Sequence, residues 1–408
     1  MADVSQMAEH PQNLHAARLT SLLASFSSLG SLANKTYYVP FLTFPVAALL
    51  AWYSFGSRSL GMALLGLFIV LIGISPLPGT KNGLVLMSSL TLSLAMGEIS
   101  LQIFQNDEET TYSPESDYAK PDYHLKSDVG DQALPGNYSS KKLTSKGETV
   151  YDVVYSIGQD RFRITPGMNG PVRARINFFG CSFMFGEGVN DNETLPSFLH
   201  AMNTAISVKN FGWHGYGVHQ ALRILESNRD TSGDVNFLLT APWHAERSAC
   251  VPYYSMGSPR YALGSDGSVE LNGICGNWDR RNVLARVINH SHIYQLIRRA
   301  MDDSQDEQIR LYLAIIRKIH KISESRSQKL VVGFIKADEK WFAGKYSNGK
   351  IFEHLQGMGI DVLDLTLAES EDRLPREYYI HPLDKHPSPK ANEARARLLN
   401  KYLEGIAL

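Results

Sequence analysis

Residues 176–188, Ile-Asn-Phe-Phe-Gly-Cys-Ser-Phe-Met-Phe-Gly-Glu-Gly, run apolar as far as a glycine, present one serine and then turn through two more glycines. A buried strand that stops in this way delivers a nucleophile to the mouth of a pocket. Ser182 is that candidate nucleophile. A serine hydroxyl attacks poorly until a base takes its proton, so it needs a histidine, usually oriented by a carboxylate. Far downstream stands Ile380-His-Pro-Leu-Asp-Lys-His-Pro-Ser-Pro, in which Asp384 and His386 are separated by one residue. The pair directly precedes Ser388 and Pro389, which carry the N-cap and first-turn signature of a helix. His386 is therefore the expected general base and Asp384 its orienting acid, with His381 as a rival base.

Acyl chemistry also needs hydrogen-bond donors aimed at a developing oxyanion. The backbone N–H of Ser182 can be one. In Asn210-Phe-Gly-Trp-His-Gly-Tyr-Gly the glycines allow the backbone N–H of Gly215 to point into the same pocket.

The elements that must hold these groups follow from hydrophobic period. Apolar runs at 176–179, 206–210, 235–240, 329–335 and 360–364 read as buried strands, and 193–204, 217–228, 283–300, 305–324, 350–357 and 389–404 as helices. Strands alternating with helices imply a parallel five-stranded sheet covered on both faces, a three-layer α/β domain over 171–408. Ligands bind such sheets at the carboxyl ends of the strands. Ser182 stands just past the first of these, and the loop between the fifth strand and the last helix brings Asp384 and His386 to the same edge. Residues 105–150 are rich in Ser, Asp, Lys, Pro and Gly and read as a spacer; 151–157 and 161–164 alternate and read as a small hairpin, so 105–170 forms a linker and lead-in.

Upstream, the composition changes. Residues 1–35 are a polar tail. Between Lys35 and Arg58 lie 22 uncharged residues, between Arg58 and Lys81 another 22, and between Lys81 and Glu98 another 16. Runs of that length cross ~30 Å of hydrocarbon as helices, and three spans are expected at 37–55, 59–77 and 83–104 within a membrane domain over 36–104. A cleavable signal peptide would occupy the extreme N-terminus and would not be followed by two further apolar runs. With Arg18, Lys35 and Lys81 inside and Asp107, Glu108 and Glu109 outside, the flanking charges place the catalytic domain outside the cytoplasm, and Glu98 near headgroups. Forty Lys and Arg against 41 Asp and Glu, with no basic run, give no electrostatic case for a nucleic-acid partner. Cys181, Cys250 and Cys275 have no Cys-x-x-Cys spacing, so a zinc site of thiolates has no support. Cys181 reads as a small packed hydrophobe. Outside the cytoplasm Cys250 and Cys275 can form a disulfide around an insertion whose Tyr253, Tyr254 and Trp278 could stack on sugar rings.

Gly180-Cys-Ser182, Asn210-Phe-Gly-x-x-Gly215-Tyr-Gly and Asp384-Lys-His386-Pro together resemble the SGNH, or GDSL-type, hydrolase superfamily, in its membrane-tethered branch associated with bacterial polysaccharides. The resemblance covers about 176–408. It implies a flavodoxin-like sheet, Ser182 as nucleophile, Gly215 as second oxyanion donor, Asp384 and His386 completing a triad, and no metal or organic cofactor. Two departures stand out. The superfamily's oxyanion asparagine is missing from the turn Thr240-Ala-Pro-Trp-His-Ala-Glu-Arg, which leaves His244 as the nearest donor and Arg247 to hold an anionic group. The usual Asp-x-x-His is shortened to Asp-x-His.

The expected protein is thus a multi-pass protein of a bacterial inner membrane with its catalytic domain on the periplasmic side. It would be a serine esterase removing O-acyl groups, O-acetyl first among them, from a polysaccharide or glycolipid. An O-acyltransferase using the same triad, supplied with acyl groups by a membrane acyltransferase partner, is the alternative, and a non-catalytic polysaccharide-binding or assembly protein is a third reading.

Overall fold

The computed structural model describes residues 81–104, 110–120, 123–167, 171–227, 229–251, 255–276 and 305–406, with 64, 65, 67–70, 291 and 293. It divides into two compact units, residues 1–105 with 280–297, and residues 106–279 with 298–408.

In the first unit, α1 (Lys81–Phe104) is a helix of 24 residues where the third span is expected. It turns Met87, Leu90, Leu94 and Met96 outward. Glu98 is not a headgroup-facing acid but an interior one: its carboxylate accepts from Ser291 Oγ at 2.9 Å and from the Ile293 N–H at 3.0 Å. A buried carboxylate needs such donors. The side chains described on α1 are those of residues 87–100, and among the described residues no helix is long and apolar enough to cross a membrane. The spans at 37–55 and 59–77 and the helix at 283–300 lie outside the described residues, apart from the few positions given above.

The second unit opens with sheet where the composition predicts a spacer. β1 (Thr110–Tyr112) precedes a ribbon of β2 (Leu125–Ser127) and β3 (Gly130–Gln132), then β4 (Gly136–Thr144) and β5 (Thr149–Ile157). β1, β4 and β5 form an antiparallel sheet in the order β1-β4-β5. Strand β4 is polar, and polar composition hides it; its order comes from backbone pairing with β5, which buries Tyr151, Val153, Tyr155 and Ile157 on one face. The expected second arm at 161–164 supplies only single bridges from Arg163 to Ile157 and Asn210.

The core sheet has five parallel strands: β6 (Ala174–Phe179), β7 (Ile206–Asn210), β8 (Val235–Thr240), β11 (Lys329–Phe334) and β12 (Asp361–Asp364), with the hairpin β9 (Pro259–Leu263) and β10 (Val269–Ile274) inserted before β11. Its order is β12-β11-β8-β6-β7. Alternate residues of β8 and β11 face opposite layers, as the period of two requires. Val235, Phe237, Leu239 and Val331 meet α3 (Leu195–Met202) and α8 (Pro389–Glu404). Leu238, Leu330, Val332 and Phe334 meet α4 (Val218–Glu226), α6 (Gln305–Ser325) and α7 (Asn348–Gly357). This is the three-layer arrangement expected. At the far end of the central strands Asn177 donates to Asn236 Oδ1 (3.0 Å) and to the Thr231 carbonyl (2.8 Å), so this buried polar pair is satisfied. The chain leaves β6 for β7 on one side and returns to β8 on the other. The crevice at that reversal is where open α/β sheets bind ligands, and β6 ends there in the short helix α2 (Ser182–Phe185).

Candidate active site

Ser182 is the first residue of α2 and only 7% exposed. The turn that carries it is braced by three groups. Asn210 donates to the Met184 carbonyl at 2.9 Å. Gly212 passes so close that a Cβ there would meet the Phe185 nitrogen at 2.5 Å. Arg163, buried, donates to the carbonyls of Phe185 (2.9 Å), Gly186 (2.5 Å) and Val189 (2.6 Å).

Asp384 and His386 arrive on a hairpin rather than a loop, formed by β13 (Tyr379–His381) and β14 (Asp384–Pro387). On a strand, residues two apart share a face, which is why the shortened Asp-x-His spacing works. Lys385 between them points to solvent. The Ser388 hydroxyl then caps α8, accepting from the Ala391 N–H, with Pro389 opening the helix as expected.

Ser182 Oγ lies 2.9 Å from His386 Nε2, and His386 Nδ1 lies 2.5 Å from Asp384 Oδ1. His381 takes no part: its Nδ1 accepts from the Leu383 N–H. Lys142 of β4 donates to Asp384 Oδ2 at 2.7 Å. Glu187, in the turn after α2, brings Oε2 to 3.4 Å from His386 Nε2. That carboxylate accepts from the Tyr112 hydroxyl at 2.9 Å and from His214 Nδ1–H at 2.8 Å, and Tyr123 donates to the other nitrogen of His214 at 2.8 Å. The supposed spacer therefore completes the site, since Tyr112, Tyr123 and Lys142 all belong to it.

The charges follow from this packing. Burial alone would depress His386, but the charge of Glu187 and then the hydrogen bond and charge of Asp384 override it and raise the imidazole to about 9. Burial works against ionisation of Asp384 and Glu187, yet both stay below the usual carboxylate range. His386 and Lys142 hold Asp384 there; His386 and His214 hold Glu187. Burial keeps His214 below its ordinary value in spite of Glu187, so it is neutral. Burial and Glu187 raise Tyr112, which stays a donor.

Gly215 adopts φ +71 in the turn after β7, beside His214. Neither its N–H nor that of Ser182 donates to another group among the described residues, as oxyanion donors require. His244 begins α5 (His244–Ser248) and is 1% exposed. Its Nδ1 meets Thr240 Oγ1 at 3.1 Å, and Thr240 donates onward to Tyr312. Burial, with Arg247 and His219 nearby, drives it strongly to the neutral form. No described contact joins it to Ser182 or His386; its neighbour Trp243 lies against Phe183, whose ring edges His386. Arg247 donates to the Tyr216 carbonyl at 2.7 Å and so braces the turn holding Gly215. Cys250 and Cys275 form the expected disulfide, with Cα atoms 5.3 Å apart, and Cys181 is a buried free thiol. Tyr253, Tyr254 and Trp278 lie outside the described residues.

Glu187, Asp384 and His386 place one potential ligand atom each within 4.8 Å of one another. A cation there would have to displace the Lys142 ammonium from Asp384 and take a histidine nitrogen already facing Asp384 or Ser182. The set fits an acid–base triad better than a metal.

No family model matches the chain, and no curated protein matches it. Solved structures do. A member of the lipolytic protein G-D-S-L family from Veillonella parvula DSM 2008 is 12% identical, over 57% of this chain and 99% of that one, with a TM-score of 0.35. Axe2, an acetylxylan esterase from Geobacillus stearothermophilus, is 12% identical over 58% and 96%, with a TM-score of 0.34. The psychrotrophic esterase EstA from Pseudoalteromonas sp. is 11% identical over 57% and 97%, with a TM-score of 0.33. Other similar structures are also of G-D-S-L proteins and lipases. At these scores the likeness carries no weight by itself; the sheet order and the triad geometry carry the case.

Proposed function

We propose that the chain is a membrane-anchored serine esterase of the SGNH type that removes O-acyl groups, O-acetyl first among them, from a polysaccharide or glycolipid outside the cytoplasm. The observation that carries the esterase reading is the continuous path Ser182 Oγ, His386 Nε2, His386 Nδ1, Asp384 Oδ1, with contacts of 2.9 and 2.5 Å. His386 takes the Ser182 proton as Oγ bonds to the ester carbonyl, and the carbonyl oxygen becomes an oxyanion facing the N–H groups of Ser182 and Gly215. As the tetrahedral adduct collapses, His386 returns the proton to the departing sugar oxygen. Water, deprotonated by the same imidazole, then releases the acid. The intact triad supports an enzyme over a binding protein. Membrane anchoring rests on the three uncharged runs and on the apolar side chains that α1 turns outward.

The test uses the full chain in detergent with p-nitrophenyl acetate and a fluorophosphonate. Ser182→Ala should lose at least about a thousandfold in rate and all labelling. Equal rates in wild type and variant, with no label on Ser182, would sink the proposal. Supplying acetylated and bare oligosaccharides and following acetyl by mass separates release to water from transfer to a sugar hydroxyl.

A further inference from the structure

The turn after the nucleophile carries a carboxylate that a Ser-His-Asp triad does not require. Glu187 is buried, and its Oε2 stands 3.4 Å from His386 Nε2, the nitrogen that also meets Ser182 Oγ at 2.9 Å. It is fixed in place. Tyr112 donates to Oε1 and His214 to Oε2, and Tyr123 locks the His214 ring from behind. Gly186 and Gly188 on either side take φ +83 and +78, a left-handed backbone that glycine alone adopts freely. The groups facing His386 come from four elements: Asp384 on β14, Glu187 after α2, Lys142 on β4 and His214 after β7. His214 is neutral, so two carboxylates face the imidazole against one ammonium, and each ring nitrogen has a carboxylate of its own.

We propose that Glu187 is a positioning residue of the reaction, sharing the His386 Nε2 proton with Ser182 so that the imidazolium formed during attack is held between carboxylates on both ring nitrogens. Its catalytic meaning rests on the serine-esterase reading; its hold on His386 does not. In the step itself Glu187 gains and loses nothing. The Ser182 proton passes to Nε2 as Oγ bonds to carbon and the carbonyl pair moves to oxygen, and the same proton leaves with the sugar oxygen as the ester bond breaks. Glu187 lies beside Nε2 throughout, so the N–H keeps an acceptor while it turns from one oxygen to the other. The same contact stabilises the imidazolium before substrate arrives, which restrains the enzyme at neutral pH.

The experiment follows the His386 ring by ¹⁵N NMR in the full chain labelled at histidine, assigned by the signal lost in His386→Asn, alongside kcat/KM against pH. In Glu187→Gln the His386 midpoint should fall by at least about one pH unit. The acid limb of kcat/KM should move with it, and kcat on the alkaline plateau should drop about tenfold. Glu187→Asp, which keeps the charge, should restore at least half of the midpoint change. An unmoved midpoint, or a rate lowered by one factor at every pH, would overturn the proposal. Should Glu187→Gln not fold, the wild-type midpoint decides: a value below about 7 overturns it, because an unperturbed histidine already titrates near there. If no fluorophosphonate labels Ser182 at any pH while the midpoint moves as described, the esterase reading falls and the hold of Glu187 on His386 stands.

Discussion

Lys142 Nζ lies 2.7 Å from Asp384 Oδ2, while the other oxygen of the same carboxylate meets His386 Nδ1 at 2.5 Å. The two residues are 242 positions apart, one on β4 of the lead-in sheet and the other on the hairpin before α8. Asp384 is thus gripped from both sides, and its free rotation is lost before substrate binds.

Removing the ammonium should cost both stability and rate. Lys142→Met leaves a buried carboxylate oxygen without its partner, a loss of about 3 kcal/mol for a pair this enclosed. It should also lower kcat/KM by about tenfold, through a less fixed imidazole. Lys142→Arg should recover part of each. Urea melts and steady-state rates check this; full activity in Lys142→Met would show that Asp384 is held well enough by His386 alone.

The pH dependence follows from His386, raised to about 9. The neutral base grows as pH rises, so ester hydrolysis should climb from pH 7 towards pH 9 and level off above it. Stability should run the other way. A histidine raised in the folded state contributes stability that is complete below its unfolded value, near 6.5, and is lost as pH climbs through about 9. Melting temperature should therefore fall across that window in the wild type and fall less in His386→Asn. A wild-type curve that rises there relative to the variant contradicts the assignment.

The central sheet is legible in the sequence because its inner strands are buried on both faces, as at 235–240, which coincides with β8, while the edge strand β7 coincides with 206–210 and alternates buried with half-buried residues. Ser182, Asp384 and His386 are legible because each sits at a boundary marked by local chemistry, a glycine turn or a helix cap. β4 is not legible, since most of its nine residues are polar and its order depends on partners elsewhere. Lys142 carries no local signal for the same reason. Glu187 did have one, standing between two glycines five residues past the nucleophile. Closeness in sequence to a missing donor is what proposes His244; at the start of α5 its Nδ1 meets Thr240 Oγ1, and its buried Nε2 has no hydrogen-bond partner among the described residues.

Thiol counting reports the disulfide directly. Under denaturing conditions without reductant one thiol should react, that of Cys181, and after reduction three. In the native state Cys181 should react slowly, being 2% exposed. Three thiols without reductant would exclude the Cys250–Cys275 bond.

Gly212→Ala tests how closely the turn after β7 supports the nucleophile. An added Cβ would meet the Phe185 nitrogen at 2.5 Å and Met184 Cβ at 2.8 Å, and a backbone atom cannot swing aside. The α2 turn would have to move, displacing Ser182 from His386. A shift of that kind should cost about a hundredfold in kcat, with a loss of about 1–3 kcal/mol in stability. Unchanged kcat would mean that the turn relaxes without disturbing Ser182.

Arg163 is the stronger brace, and its replacement separates positioning from stability. Its guanidinium donates to the carbonyls of Phe185, Gly186 and Val189 and to Asp191 Oδ1, closing the segment that carries both Ser182 and Glu187. A planar fork reaches these diverging acceptors; a lysine ammonium, one atom on a flexible stem, does not. Arg163→Lys keeps the charge but leaves two or more carbonyls unpartnered in the interior, a loss of about 2–4 kcal/mol. If the fork also sets the turn, kcat should fall by about tenfold or more with KM little changed, because the lost interaction orients the nucleophile and does not touch substrate. Rates are to be compared at a temperature where circular dichroism shows the variant folded. A variant that melts early yet retains wild-type kcat below its transition would make Arg163 a support of the fold alone.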